Sequence, residues 1–333
     1  MPESGRDISL DITKGVAIFL VVLGHCIQYD AGRVNAGTSL WNEPVFQFIY
    51  SFHMPLFMLL SGYFFSRTAK RDAPWGVIRS KMLHLLLPVA TWGCFYQLLR
   101  VVFWAWDWSW SFFFYHLWFL WAVFLCSCIV LLVRHWFRDS IVVYVVIGAL
   151  MLFLPDHNCF PYVEYMYPYY VLGYRIGGSG LRRGWKSMYC FGAALVLFAV
   201  MFHYYGVEDF VYTSKTSLLV GGYVSLSQLK VDLFRYAIGL VGAYVVWRTI
   251  DLVYSSWRDG RIWRVFVPLG RETMGIYIVH LQVVEFLSPL PFVGQSYVRI
   301  FIETLLLLAF SYALTRLLRC WRVTALLCLG SRK

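Results

Sequence analysis

The stretch Asp11-Ile-Thr-Lys14-Gly-Val-Ala-Ile-Phe-Leu-Val-Val-Leu-Gly-His25 is an apolar run with a cation near one end and an imidazole at the other. On an α-helix, the eleven positions from Lys14 to His25 give a rise of about 16 Å and a net rotation of roughly 20°, so both side chains lie on one stripe. Asp11 lies near that stripe and can pair with Lys14 at i,i+3. Ionisable groups within a membrane span usually face a bundle interior or a wet cavity. The stretch therefore predicts a membrane helix that carries functional groups; the alternative is that Lys14 and His25 reach the two headgroup layers.

The composition excludes an ordinary soluble domain. Of the 333 residues, 60% are hydrophobic, 20% aromatic and 14% charged, whereas soluble domains carry about 25% charged residues. The apolar runs recur along the whole length, which predicts a polytopic membrane protein rather than a soluble domain with an anchor. The net charge of +11 comes from basic residues dispersed between these runs. Since no nucleic-acid-binding signature accompanies them, we expect no nucleic acid partner.

Hydropathy predicts about ten transmembrane helices in a single domain that covers residues 1–333. The sequence Gly24-His25-Cys26-Ile27 does not provide a small-x-small cleavage site, so we expect the first helix to be retained. The predicted segments are residues 11–29, 45–65, 80–104, 115–134, 139–154, 162–178, 187–205, 232–250, 269–288 and 297–317.

Basic residues gather in every second connection between these segments, as the positive-inside rule requires. The connections that we assign to the cytoplasm hold Arg67, Lys70, Arg71, Arg79, Lys81, then Arg134, Arg138, then Arg175, Arg182, Arg183, Lys186, then Arg248, Arg258, Arg261, Arg264, and finally Arg316, Arg319, Arg322, Arg332 and Lys333. The opposite connections hold little beyond Arg33, Lys215 and Lys230. The sequence therefore predicts an all-α, polytopic integral membrane helical bundle with both termini cytoplasmic.

Three other features of the sequence have structural interpretations. Aromatic residues cluster at the predicted outer edge, from Trp104 to Tyr115 and from Tyr162 to Tyr170; an interfacial belt explains them, and a sugar-stacking platform is the alternative. Residues 206–231 are predicted as a surface loop, with a hairpin or a lid as alternatives. The eight cysteines lie mostly within apolar runs without metal-ligand spacing, so we expect no metal.

The second predicted span carries another histidine, at a depth similar to that of His25. His53 lies two residues before Pro55, which removes a backbone donor and is expected to disturb the helix. The pair Ser61-Gly62 further along permits close helix approach. A lone histidine in a bundle favours a structural hydrogen-bonding role, but two histidines at one depth on adjacent spans indicate a site.

The motifs of these two spans are followed by others along the chain. They are Asp11-Ile-x-Lys14-Gly with Lys14-x10-His25, Phe52-His53-Met54-Pro55-Leu56-Phe57 before Ser61-Gly62-Tyr63, Arg79-Ser-Lys81 before Leu-Leu-Pro88, His116-Leu-Trp118-Phe119-Leu120, Tyr170-Val-Leu-Gly173-Tyr174 and Leu269-Gly270-Arg-Glu-Thr-Met-Gly275-Ile-Tyr277-Ile-Val-His280. In order and spacing they resemble the acyltransferase-3 family of membrane O-acyltransferases over nearly the full length. Lys14 stands where most members have Arg, which is similar to the branch labelled fucose 4-O-acetylase.

The resemblance implies roles for particular residues. His25 is implied as the general base, because its unperturbed pKa of about 6.5 suits proton transfer at neutral pH. His53 is implied as a second catalytic residue that orients His25, binds the acceptor or acts as an acid or base. The implied binding residues are Asp11, Lys14, Ser61, Arg67, Arg79, Lys81 and His280. The basic ones among them would attract an anionic acyl donor, although positive-inside topology explains Arg67, Arg79 and Lys81 equally well. His280 favours a structural hydrogen bond.

The function implied by the resemblance is O-acetyl transfer in a bacterial inner membrane. The acyl donor would be cytoplasmic acetyl-CoA, used as a co-substrate without a metal, and the acceptor a glycan or a lipid-linked sugar. Two other classes are consistent with the residues alone: a proton-coupled transporter of a small solute, and a non-catalytic membrane domain that binds a ligand. The absence of paired broken helices in two corresponding halves argues against the transporter.

Overall fold

The computed structural model describes residues 7–29, 40–69, 73–105, 107–154, 162–179, 187–213, 216–220, 223–287 and 297–331. Several basic residues that predict the orientation lie outside these ranges: Arg33, Lys70, Arg71, Arg182, Arg183, Lys186, Lys215, Arg332 and Lys333. Within the ranges, almost all of the chain is helical, and a two-stranded antiparallel ladder is the β-structure that they contain.

The helices are numbered in chain order. They are α1 (Ile8–Gln28), α2 (Pro44–Thr68), α3 (Pro74–Lys81), α4 (Leu87–Trp104), α5 (Phe112–Tyr115), α6 (Trp118–Trp136), α7 (Ile141–Met151), α8 (Val163–Ser179), α9 (Met188–His203), α10 (Leu226–Ser256), α11 (Trp263–Arg271), α12 (Thr273–Leu287), α13 (Tyr297–Leu318) and α14 (Arg322–Leu329). A π-helical turn (Met82–Leu86) joins α3 to α4, and 3₁₀ turns lie at Leu40–Asn42 and Val207–Asp209. The strands are β1 (Leu219–Val220) and β2 (Tyr223–Val224).

Six helical segments among the described residues are long and apolar enough to cross a membrane. They are Ile8–Gln28, Pro44–Thr68, Pro74–Phe103, Trp118–Trp136, Leu226–Ser256 and Tyr297–Leu318. Shorter apolar helices lie at Ile141–Met151, Met188–His203 and Thr273–Val284. These helices confirm the predicted all-α membrane fold. The count of ten spans and the cytoplasmic placement of both termini stay predictions, because length and apolarity alone identify six.

Each of the ten predicted segments overlaps a helix, with two internal differences. The third segment begins earlier, at Pro74. It also contains the π turn, because Pro88 cannot donate a hydrogen bond to the carbonyl of His84 and its ring crowds that turn. The ninth segment, predicted as one helix over 269–288, is divided at Glu272 between α11 and α12. By contrast, α2 continues through Pro55, so the expected disturbance there does not interrupt the helix.

The chain divides into two compact units, and α2, α10 and α13 contribute residues to both. The first unit comprises Met1–Phe57, Ser187–Gly206 and Val241–Leu317. The second comprises Met58–Lys186, Val207–Leu240 and Leu318–Lys333. The prediction of a single domain over 1–333 stays a prediction.

In the first unit, α1 packs against α11 and α12. The helix begins where the Asp7 carboxylate accepts a hydrogen bond from the amide of Leu10, at 3.4 Å. Its apolar residues are sealed in the core, with Ala17 and Ile18 fully buried. Because α1 is buried on so much of its surface, its polar residues lie against other helices rather than against lipid alone.

In the second unit, α2 and α8 touch backbone to backbone. A Cβ at Gly62 would overlap the carbonyl of Tyr170, and a Cβ at Gly173 would overlap the carbonyl of Leu59. These motif glycines therefore permit the close helix approach that the sequence predicts.

The predicted loop over residues 206–231 contains regular structure in the part that is described. The two strands pair antiparallel with Leu219 opposite Val224, which confirms the hairpin that was the alternative prediction. The guanidinium of Arg235, 1% exposed, donates hydrogen bonds to the carbonyls of Glu208, Asp209 and Phe210. A buried cation on α10 thus fixes the chain just before the hairpin.

Candidate active site

The first unit brings together two sequence motifs from distant parts of the chain, one around Asp11 and one around Gly270. Gly15 of α1 lies against Phe266 of α11 so closely that a Cβ would overlap the Phe266 carbonyl, and Gly270 is in the same relation to the carbonyl of Asp11. Only residues without a side chain permit two helix backbones to approach in this way. The contact places the Asp-Ile-Thr-Lys-Gly motif directly against the Leu-Gly-Arg-Glu motif.

Asp11 is the centre of a charged cluster at this contact. It is 3% exposed, and its carboxylate lies 2.9 Å from Lys14 Nζ and 3.7 Å from Arg271 Nε. The i,i+3 pair predicted from the sequence is therefore confirmed, and Arg271 joins it from α11. At the break between α11 and α12, Glu272 pairs with Arg316 of α13 at 3.7 Å.

At the other end of α1, the His25 ring contacts the His280 ring of α12. His25 Nδ1 lies 3.1 Å from His280 Nε2, and the ring centroids are 5.1 Å apart. His280 is fully buried, whereas His25 keeps part of its surface exposed. The sequence analysis favoured a structural hydrogen bond for His280; the structure makes His25 its partner.

The hydrogen bonds of this pair determine which ring nitrogens carry protons. His280 Nδ1 lies 2.8 Å from the carbonyl of Ile276, which can only accept, so Nδ1 bears the hydrogen. In a neutral ring, His280 Nε2 is then an acceptor, and His25 Nδ1–H must be the donor to it. The carbonyl of Val21, one turn earlier in α1, also accepts a hydrogen bond from the His25 ring. His25 Nε2 is consequently left with its lone pair, as a general base requires.

His53 lies in the same unit, on the part of α2 that precedes Pro55. It is 2% exposed, and its Nδ1 lies 2.8 Å from the carbonyl of Ile49, so its Nε2 is also the unprotonated nitrogen. Among the described residues, the side-chain hydrogen bond of His25 is made with His280 and not with His53.

Two residues that the sequence analysis missed join α1 to α2 beside the histidines. The Tyr50 hydroxyl donates to the side-chain oxygen of Gln28 at 2.9 Å, and its ring centroid lies 4.6 Å from that of His53. Tyr50 precedes His53 by three positions, so helical spacing places both on one face. That spacing is the sequence signal that could have identified Tyr50.

The remaining predicted binding residues belong to the second unit. Ser61 lies on α2 beside the buried contact at Gly62, and the exposed Arg67 lies over the Tyr63 ring at 6.0 Å. Arg79 is exposed on α3, and Lys81 Nζ lies over the Phe65 ring at 5.1 Å. Within the described ranges, no three His, Cys, Asp or Glu residues are arranged to hold a metal ion.

The sequence matches the model of the acyltransferase-3 family, described as an acyltransferase domain, over residues 7–322. The chain therefore belongs to this family, and the resemblance predicted from its motifs is confirmed. Together with the apolar helices, the match defines the chain as a membrane acyltransferase.

Two curated relatives share most of this length. The chain is 30% identical over 307 residues to the nodulation protein NolL of Mesorhizobium japonicum, an alignment that covers 87% of this chain and 79% of that protein. It is 27% identical over 301 residues to the nodulation protein NolL of Sinorhizobium fredii, covering 83% and 77% respectively. No solved structure matches the chain significantly.

Proposed function

We propose that the chain is a membrane O-acetyltransferase that moves an acetyl or other short acyl group from cytoplasmic acyl-CoA to a hydroxyl of a glycan or lipid-linked sugar. The observation that carries the proposal is the bond between His25 Nδ1 and His280 Nε2, 3.1 Å long. It supports a His25 tautomer whose Nε2 accepts a proton, on a partly exposed side chain. Because the chain belongs to an acyltransferase family, we assign this base to acyl transfer.

In the proposed reaction, His25 Nε2 removes the proton of the acceptor hydroxyl as its oxygen attacks the thioester carbonyl. The carbon–oxygen bond forms, the carbon–sulfur bond breaks, and the thiolate takes the proton from the His25 imidazolium. The products are the O-acetyl ester and free CoA thiol, so atoms and charges balance. During the step, His280 accepts the hydrogen bond from His25 Nδ1–H and so stabilises the imidazolium, which makes it a positioning residue.

The other residues receive supporting roles. His53 binds the acceptor hydroxyl or its sugar, with His53 Nε2 available as an acceptor of hydrogen bonds. Ser61, which belongs to the second unit, stays a predicted binding residue. Lys14 stays about 16 Å from His25 along one continuous helix, too far to touch the same reacting atom. With Asp11 and Arg271 it instead forms a charged group for the anionic part of the donor.

The exposed or half-exposed cations of the second unit serve the donor as well. Arg67, Arg79 and Lys81 attract the phosphates of acyl-CoA by charge, which is long-ranged and needs no fixed geometry. The proposal places these residues on the cytoplasmic side of a bacterial inner membrane, with ten spans, both termini inside and residues 1–333 acting as one acyltransferase domain.

The test is acetyl transfer by the purified full chain in nanodiscs, supplied with acetyl-CoA and a lipid-linked glycan extract. CoA release is quantified by chromatography, and acetylated glycan by mass spectrometry. His25→Asn keeps a donor at the position of Nδ1 but has no base, so we expect a loss of about 10²- to 10⁴-fold. The matched control is His203→Asn, an exposed histidine at the end of α9, which should leave the rate unchanged.

An active His25→Asn variant would contradict the assignment of the base. A chain that moves a solute across the membrane without releasing CoA would instead support the transporter, and one that does neither would support a ligand-binding domain.

A further inference from the structure

The last helix of the described chain docks against the π turn of the second unit. Trp92 Nε1 of α4 donates a hydrogen bond to the carbonyl of Cys328 at 2.9 Å, and His84 Nδ1 lies 2.9 Å from the carbonyl of Gly330. Gly330 has a φ of 59°, and a Cβ there would overlap the carbonyl of His84. The C-terminal end of α14 is therefore fixed at the His84 backbone.

The π turn creates the place where α14 docks. The amide of Leu87 bonds to the carbonyl of Met82, five positions earlier, so the turn is one residue wider than an α-helix. Pro88 has no amide hydrogen for the His84 carbonyl, which faces Gly330 instead. Because π turns interrupt helices at a cost, they are frequently found at functional sites.

Basic side chains converge on this turn. Lys81 Nζ rests on the ring of Phe65 at 5.1 Å, and within the described ranges no carboxylate lies at ion-pair distance from it. Arg319, half-buried at the end of α13, reaches the hydroxyl of Ser331 with Nη1 at 3.4 Å. Ser331 directly follows Gly330, whose carbonyl lies 2.9 Å from His84 Nδ1, and Lys81 directly precedes the π turn that holds His84. The contact from Arg319 to Ser331 therefore brings the arginine to the end of α14 at this turn. Lys81 and Arg319 are both cations, and an anion bound beside them would reduce their mutual repulsion.

We propose that Lys81, His84, Arg319 and Ser331 form a binding site for a phosphate group. Arginine offers several N–H donors to phosphate oxygens, lysine a compact charge, and serine a neutral donor. Two sources present this chemistry: a soluble nucleotide phosphate and the headgroup of an anionic lipid. Ser331 and most of α14 lie beyond residues 7–322 that match the family model, so that model does not account for the site. The inference goes beyond acyl transfer. For a soluble nucleotide phosphate as the ligand, it rests on the proposed function.

The experiment measures binding by the full chain, without any acyl group. In one arm, adenosine 3′,5′-bisphosphate is titrated calorimetrically into the chain in phosphatidylcholine nanodiscs. In the other arm, retention of phosphatidylglycerol against phosphatidylcholine is measured by native mass spectrometry. We expect saturable binding in at least one arm, and the arm that responds identifies the source.

The charge variants distinguish a specific binding site from nonspecific electrostatic attraction of the anion. Arg319→Gln should weaken the responding probe at least tenfold, whereas Arg322→Gln, the same change at an exposed arginine three positions away, should alter it less than twofold. Gly330→Ala changes no charge but displaces the end of α14, so it should also weaken binding. His84→Gln gives a further measurement if Arg319→Gln does not fold, as judged by size-exclusion chromatography.

Absence of binding in both arms, or equal effects of Arg319→Gln and Arg322→Gln, would overturn the proposal. Because neither arm involves a thioester or a sugar, failure of acetyl transfer would leave the result on this site unchanged.

Discussion

At the scale of single residues, a backbone carbonyl determines the tautomer of His25. The carbonyl of Ile276 fixes the tautomer of His280, which in turn fixes that of His25 through a 3.1 Å bond. In many hydrolases a carboxylate orients the catalytic histidine, and in the mechanism that we propose a neutral imidazole takes that part. The arrangement avoids a charge beside a buried ring, where desolvation is costly.

The role of His280 as a positioning residue gives a first prediction. His280→Ala removes the acceptor of the His25 Nδ1–H bond, so kcat for acetyl transfer should fall about 10- to 100-fold with KM unchanged. His280→Gln places an amide oxygen near the former Nε2 and should recover part of the loss. Steady-state kinetics at varied donor and acceptor concentrations measure both effects. Equal kcat losses in the two variants, together with lowered thermal stability, would instead show a merely structural histidine.

A second prediction at this scale concerns Asp11, whose buried carboxylate pairs with Lys14 and Arg271. Asp11→Asn leaves Lys14 without its 2.9 Å partner, so we expect unfolding to become easier by about 1–3 kcal/mol. Arg271→Gln removes a cation whose side chain is 47% exposed, and should cost less than about 1 kcal/mol. Denaturation in detergent, followed by tryptophan fluorescence, gives both values. If the Arg271 variant were the less stable of the two, Asp11 would not be the centre of the cluster.

Lys14 and His25 could be selected from the sequence because spacing on one helix decides which face they share. His53 could be selected because its predicted depth on the next span is similar to that of His25. The partner of His25 could not, since 255 positions separate it from His280 and no local pattern encodes that contact. The structure pairs Arg271 with Asp11 of α1 and Glu272 with Arg316 of α13, and no spacing along the chain predicts these partners. Contacts of this kind depend on the packing of helices, which hydropathy does not report.

At the scale of elements, hydropathy predicted where helices lie but not where they break. The segment predicted over 269–288 is divided at Glu272, whose φ of −104° and ψ of 13° depart from helical values. Only Leu269-Gly-Arg271 of the predicted segment lies before the break, which is too short a stretch for a sliding average to separate from α12. The break allows α11 to lie against the N-terminal part of α1 while α12 carries His280 towards His25.

The close approach of α1 and α11 gives a third prediction. Gly270→Ala forces a methyl group into the carbonyl of Asp11, and such overpacking typically costs about 1–3 kcal/mol. Gly192→Ala in α9 is the matched control, because nothing lies within 4 Å of a Cβ there. Alanine is the better helix former, so this control should be neutral or slightly stabilising, by up to about 1 kcal/mol. Thermal unfolding midpoints in one detergent compare the two, and equal midpoints would contradict the backbone contact.

At the scale of the whole molecule, the open question is how many helices cross the bilayer. Helix α7 has 11 residues and a length of about 16 Å, well short of a hydrocarbon core of about 30 Å. The six longer helices could cross the membrane without α7. Counts of six and of ten spans place the segment after α9 on opposite sides of the membrane. The charge pattern favours ten, because a six-span chain with a cytoplasmic N-terminus would put Arg258, Arg261 and Arg264 outside, against the positive-inside rule.

Reporter fusions after Gly206 and after Arg258 decide between the counts. With ten spans, the chain after Gly206 lies outside, where alkaline phosphatase is active, and the chain after Arg258 lies inside, where a fluorescent protein matures. With six spans both results are reversed, because α7, α8 and α9 then stay on the cytoplasmic side. A fusion at Lys333 is the common control, since either count returns the C-terminus to the cytoplasm. Phosphatase activity after Arg258 would rule out the ten-span arrangement, and with it the cytoplasmic position of the arginines that precede α11.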